Sequence, residues 1–104
     1  MFGLYPNSYQ QLLSIFQKHE NIEKVVIYGS RAKGNYKECS DIDFTLFGEL
    51  NYDDLLKLKI EFEESSIPYL IDISIYNDLK SVSLLEHINR VGKIFYNKSE
   101  NTSA

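Results

Sequence analysis

Two eight-residue segments, SDIDFTLF (Ser40–Phe47) and YLIDISIY (Tyr69–Tyr76), constrain the fold more than anything else in the chain. Each alternates along its length, as a strand with one buried face does. In the first, Ile42, Phe44 and Leu46 fall on one face and Asp41, Asp43 and Thr45 on the other. In the second, Tyr69, Ile71, Ile73 and Ile75 oppose Leu70, Asp72, Ser74 and Tyr76. Aspartate is a poor strand former, yet three aspartates stand among β-branched neighbours. If the two strands pair, Asp41, Asp43 and Asp72 line one surface of the sheet, opposite the core.

The remaining elements follow from periodicity. Tyr9, Leu12, Leu13 and Phe16 recur at helical spacing, predicting a helix over Ser8–His19. The β-branched run Lys24–Tyr28, closed by Gly29, predicts a buried strand. SRAK forms one short helical turn ending at Gly34. A second amphipathic helix begins at Asn51 or Tyr52, with Leu55, Leu58 and Phe62 on one face, and Pro68 lies beyond its end. A third is expected over NDLKSVSLLEHINRVG, with Asp78 as cap, Val82, Leu85 and Ile88 inward, and Gly92 as stop. KIFY adds a short last strand. The expected fold is α/β (α+β), a mixed sheet with helices on one face. Residues 1–96 form one domain and 97–104 a disordered polar tail.

Composition narrows the function. The chain has 104 residues, enough for one core, and a formal net charge of -4. It has neither the basic face nor the high pI of a duplex binder, so nucleic acid is not an expected direct ligand. No apolar run reaches membrane-spanning length, and the N-terminus lacks the pattern of a secretory signal. The lone Cys39 allows no intrachain disulfide, which fits a cytoplasmic protein. Cys39 reads as a small buried residue and Ser40 as a turn into the strand. His19 and His87 complete no zinc set and read as structural, and none of the tyrosines is assigned a site role.

Asp41 and Asp43, two apart on a strand, have Cα atoms about 6.6 Å apart and share a face. Carboxylates so placed repel, and a divalent cation between them removes the conflict. Oxygen-only ligands favour Mg²⁺ or Mn²⁺. With Asp72 the three supply what a two-ion site needs. GSRAKGNY is no P-loop, because Asn35-Tyr36 stands where Lys-Ser/Thr belongs. DIDFTL is no EF-hand, because its sixth position is Leu46 rather than Gly.

Gly29-Ser30, ten residues, then Asp41-Ile42-Asp43 resembles the nucleotidyltransferase superfamily of DNA polymerase β. GSRAKGNYKECSDIDF is closer still to the minimal nucleotidyltransferases, commonly the antitoxin partners of HEPN-domain ribonuclease toxins. The resemblance runs from Val25 to Tyr96. It implies a nucleotidyltransferase (polymerase β palm-like) fold. It also implies that Asp41, Asp43 and Asp72 are catalytic and hold two Mg²⁺ ions, with Mn²⁺ as substitute, and that Gly29, Ser30 and Arg31 contact the nucleotide. Lys33 stands where many relatives have Arg. The implied reaction transfers a nucleoside monophosphate, AMP from ATP or from another NTP, to a hydroxyl of a HEPN-domain toxin. The alternatives are an antitoxin acting by contact alone and transfer to a small molecule. The latter lacks support, since only about two elements' worth of chain follows Leu79, too little for an acceptor domain.

Overall fold

The computed structural model describes residues 2–34 and 41–101. The expectations for Cys39 and Ser40 lie outside them. The order is α1 (Pro6–Lys18), β1 (Ile22–Tyr28), α2 (Ser30–Lys33), β2 (Ile42–Gly48), α3 (Tyr52–Glu64), β3 (Ile71–Ile75), a 3₁₀ turn (Tyr76–Asp78), α4 (Val82–Val91), β4 (Lys93–Asn97) and α5 (Lys98–Asn101). One mixed sheet carries the strands in the order β3-β2-β1-β4. β1 is antiparallel to β2 and β4, whereas β2 and β3 are parallel. A parallel neighbour needs a crossover, and α3 provides it.

The alternating apolar positions meet α1 and α3 as the pattern predicts. Val25, Ile27, Ile42, Phe44, Leu46 and Ile73 join Leu12, Phe16, Leu58 and Phe62 in the main core. Phe16 organises it, with its ring edge-on to Phe44, Phe62 and Phe95 at 5.3, 6.1 and 6.0 Å. Across the top of the core, His19 Nε2 pairs with Glu61 Oε2 and ties α1 to α3. α3 starts on a capping box between Asn51 and Asp54. β1 begins two residues earlier than its β-branched run suggests. The register slips between Ile22 and Lys24, so Glu23 is a bulge and Ile22 regains the core face.

α4 departs from the one-face expectation. It packs Ile88 and Leu84 on Val26 and Tyr28, on the sheet face opposite the main core. Its cap is Ser81, whose side chain accepts from Leu84 N–H, not Asp78. Val82, expected inward, is 69% exposed. The helix is apolar over a wide arc, and it is the part carrying Leu84 and Ile88, not Val82, that meets the sheet. Gly92 ends α4 with φ −63°, so left-handed freedom is not what it provides. A Cβ there would stand 2.4 Å from Ile88 O and 2.8 Å from Val26 Cγ1, so Gly92 allows close approach.

The expected disordered tail is in part structured. Asn97 pairs with Lys24 in the sheet, α5 adds a turn, and Lys98 Nζ donates to Glu20 O at 2.8 Å. Residues 102–104 lie outside the description. Among the described residues no helix is long and apolar enough to cross a membrane.

Candidate active site

Strand register builds the site. Tyr28 on β1 stands opposite Asp43 on β2, and Asp43 stands opposite Asp72 on β3. The three form one row across the sheet, on the face away from the main core. The next row is Val26, Thr45 and Ser74, where Ser74 Oγ donates to Thr45 Oγ1 at 3.1 Å. Asp41 is exposed and immediately precedes β2.

Electrostatics in the row follow from this crowding. Burial pushes the Asp43 carboxyl above its ordinary value, and the charges of Asp72 and Asp41 push it further. His87 on α4 acts the other way. Tyr28 is raised chiefly by burial, with Asp43 and Asp72 adding to it, while a hydrogen bond with Ser74 lowers it.

The Gly29-Ser30 turn closes directly on these acids. Gly29 has φ 75° and ψ −156°, a region essentially restricted to glycine. An added Cβ would lie 2.4 Å from Asp43 Oδ2. Asp43 therefore leans over the glycine, and two separate features of the motif share one spot. Ser30 opens α2, so its N–H has no partner within that helix. Lys33 N and Gly34 N close the turn on Gly29 O and Ser30 O at 3.1 and 2.9 Å.

The residues fit a divalent cation by their chemistry: oxygen donors only, Asp43 and Asp72 in register on neighbouring strands, with burial making the charge of Asp43 costly. Among the described residues, no group of three or more His, Cys, Asp or Glu forms a ready-made metal cage. Asp41, Asp43 and Asp72 are the side chains that would close on an ion.

Arg31 is not brought to this face. Its side chain is 1% exposed, donates from Nη1 to Phe2 O at 3.0 Å and stacks on the Tyr69 ring at 4.7 Å. It ties the N-terminal segment and the start of β3 to α2, and so holds the turn from behind. Replacing it with Met keeps the stem but leaves the Phe2 carbonyl without this donor. Arg31→Met is expected to cost about 2–3 kcal/mol, measured by urea unfolding. A loss under about 0.5 kcal/mol, the ordinary surface range, would show that these contacts contribute nothing.

Conversely, Tyr28, Thr45, Ser74 and His87 stand beside the acids with no sequence motif to mark them. Parity within the alternating strands places Thr45 and Ser74. Tyr28 and His87 needed the pairing of β1 with β2 and the docking of α4.

The sheet, the crossover and this acidic row beside a Gly-Ser turn define a nucleotidyl-transfer fold. The chain belongs to the polymerase beta nucleotidyltransferase family, whose model matches residues 10–101. It is 36% identical over 72 residues to the Methanocaldococcus jannaschii protein named Putative protein adenylyltransferase MJ0435, covering 67% of this chain and 75% of that one. It is 40% identical over 37 residues to Putative protein adenylyltransferase MJ0604 of the same organism, a match spanning 36% of this chain and 37% of the relative. A toxin-antitoxin crystal structure with AMP-PNP superposes with TM-score 0.70 at 14% identity, over 89% of this chain and 76% of that one. A tri-AMPylated Shewanella oneidensis HEPN toxin in complex with MNT antitoxin gives 0.65 at 12% identity, over 91% and 74%. These two likenesses concern the fold.

Proposed function

We propose that this protein transfers AMP from ATP to a hydroxyl of a HEPN-domain toxin and so acts as its antitoxin. The observation that carries the reading is the in-register Asp43–Asp72 pair, with Asp41 beside it and the Gly29-Ser30 turn closing on Asp43. The adenylyltransferase relatives and the toxin-antitoxin complexes among the structural neighbours support it. Gly29 brings the backbone close to the outer phosphates, and Ser30 offers them its N–H and hydroxyl. Asp41, Asp43 and Asp72 hold the divalent cations, two Mg²⁺ in this reading. When bound, they neutralise the triphosphate and stabilise charge on the entering and leaving oxygens. Asp72 accepts the proton of the acceptor hydroxyl. The acceptor oxygen bonds to the α-phosphorus, the bond to pyrophosphate breaks, and pyrophosphate leaves.

Contact alone is a second reading, favoured by one observation. Tyr52, Leu56 and Ile60 are 67%, 39% and 53% exposed and recur every four residues along α3, away from the acids. The deciding experiment incubates the protein with α-labelled ATP and Mg²⁺, with and without the protein encoded beside it, followed by intact mass. The expected result is one or more AMP units on the neighbour, absent with Asp41→Asn. Neutralisation of the neighbour's toxicity by the Asp41→Asn, Asp43→Asn double variant, with no mass change in the wild type, would establish the contact reading instead.

A further inference from the structure

Phe2 has φ 56°, the one non-glycine residue with positive φ among those described, and Gly3 follows at 72°. A residue with a side chain stays in that region only where its surroundings dictate it. The surroundings of Phe2 are specific. Its ring packs on Phe95 at 6.0 Å, Leu4 is buried in the main core, and its carbonyl accepts from Arg31 Nη1 at 3.0 Å. The same segment holds Tyr69, whose hydroxyl accepts from Tyr5 N–H at 3.3 Å and whose ring lies 6.0 Å from that of Tyr5. The Arg31 guanidinium therefore bridges the N-terminal turn and the Tyr69 ring. The planar fork of arginine suits that double contact, and an ammonium does not.

The bridge acts on α2. A single helical turn of this length does not hold its own orientation, and α2 lies between two glycines, Gly29 and Gly34. Its buried residues, Arg31 and Ala32, are what fix it to the rest of the fold. Ser30 directly precedes Arg31, and Tyr69 stands just before the strand that carries Asp72. We propose that Arg31 is a positioning residue: braced by the Phe2 carbonyl and the Tyr69 ring, it fixes the Gly29-Ser30 turn against the start of β3, so that nucleotide affinity depends on the backbone turn at Phe2-Gly3. The proposal rests on the reading of Gly29-Ser30 as the phosphate-holding turn.

The test is calorimetric titration of the full chain with Mg²⁺ and a non-hydrolysable ATP analogue, below the melting temperature of every variant. Phe2→Gly and Phe2→Pro both lose the ring contact with Phe95. Glycine still adopts the positive φ, whereas proline is locked near about −65° and cannot present the carbonyl in the same direction. Phe2→Gly is expected to stay within about twofold of wild type and Phe2→Pro to bind about tenfold more weakly. The other end of the brace gives a second contrast. Tyr69→Phe keeps the ring against the guanidinium and is expected to keep its affinity, while Tyr69→Leu loses about tenfold. A role confined to stability would lower melting temperatures and leave the affinities within each pair alike. Equal affinities within either pair, with wild type binding and Asp43→Asn not, overturn the brace and leave the nucleotide reading intact. Should Phe2→Pro fail to fold, the Tyr69 pair decides. Wild type binding no better than Asp43→Asn overturns the nucleotide reading and the brace together.

Discussion

Asp43→Asn is expected to melt above the wild type without ligand and to lose nucleotidyl transfer by at least about 1,000-fold. The two effects have one origin. Asp43 is raised by burial and by the charges of Asp72 and Asp41. A carboxyl raised on folding is favourable to the native state below its unfolded pKa, and that contribution is lost as pH rises through the folded value. At neutral pH the ionised group therefore destabilises the fold, and asparagine removes the cost. The stabilisation should be present at pH 7 and vanish once the pH falls below the ordinary carboxylate range. With Mg²⁺ and ATP the order reverses. Wild type gains about 2.7 kcal/mol at a hundredfold excess over Kd, whereas the variant gains almost nothing. Thermal melts across pH, with and without Mg²⁺-ATP, measure both. A variant that melts lower at pH 7, or shifts with nucleotide as wild type does, would refute the assignment.

Gly29→Ala is expected to cost about 2–4 kcal/mol and to erase the nucleotide-dependent shift. Backbone strain is one part, from φ 75° and ψ −156°. The other is the collision of the new methyl with Asp43 Oδ2, 2.4 Å from where it would stand. Gly34 separates them. It also has positive φ, 88°, but a Cβ there meets nothing within 4 Å. Gly34→Ala should lose only the strain, about 1–2 kcal/mol, and keep its response to Mg²⁺-ATP. Urea unfolding and ligand-shift melts of both variants make the comparison. Equal losses of nucleotide response would mean that Gly29 matters only as a flexible turn.

The acidic face was legible because strand parity is rigid: once Ile42, Phe44 and Ile73 are inside, Asp43 and Asp72 must be outside. Their direct opposition was not legible, because register between parallel strands depends on how α3 crosses over. Arg31 shows a different limit. In sequence it is a cation in a turn; its burial depends on Phe2 and Tyr69, which only the fold brings to it. Val82 shows a third. Val82, Leu84, Leu85 and Ile88 together give α4 a broad apolar arc, and periodicity does not say which part of it meets the sheet. The bulge at Glu23 breaks the alternation that would otherwise have extended β1 back to Ile22.

The parallel pairing of β2 with β3 also orders events in time. β1 pairs with β2 antiparallel without a crossover, whereas β3 can pair with β2 in parallel only when α3 crosses over. Asp72 thus meets Asp43 only through that crossover, against the repulsion of two like charges. An emerging or partly folded chain carries the Gly-Ser turn and the first two acids but lacks the third. In the proposed role, the grip on a cation would therefore wait for β3 to dock beside β2.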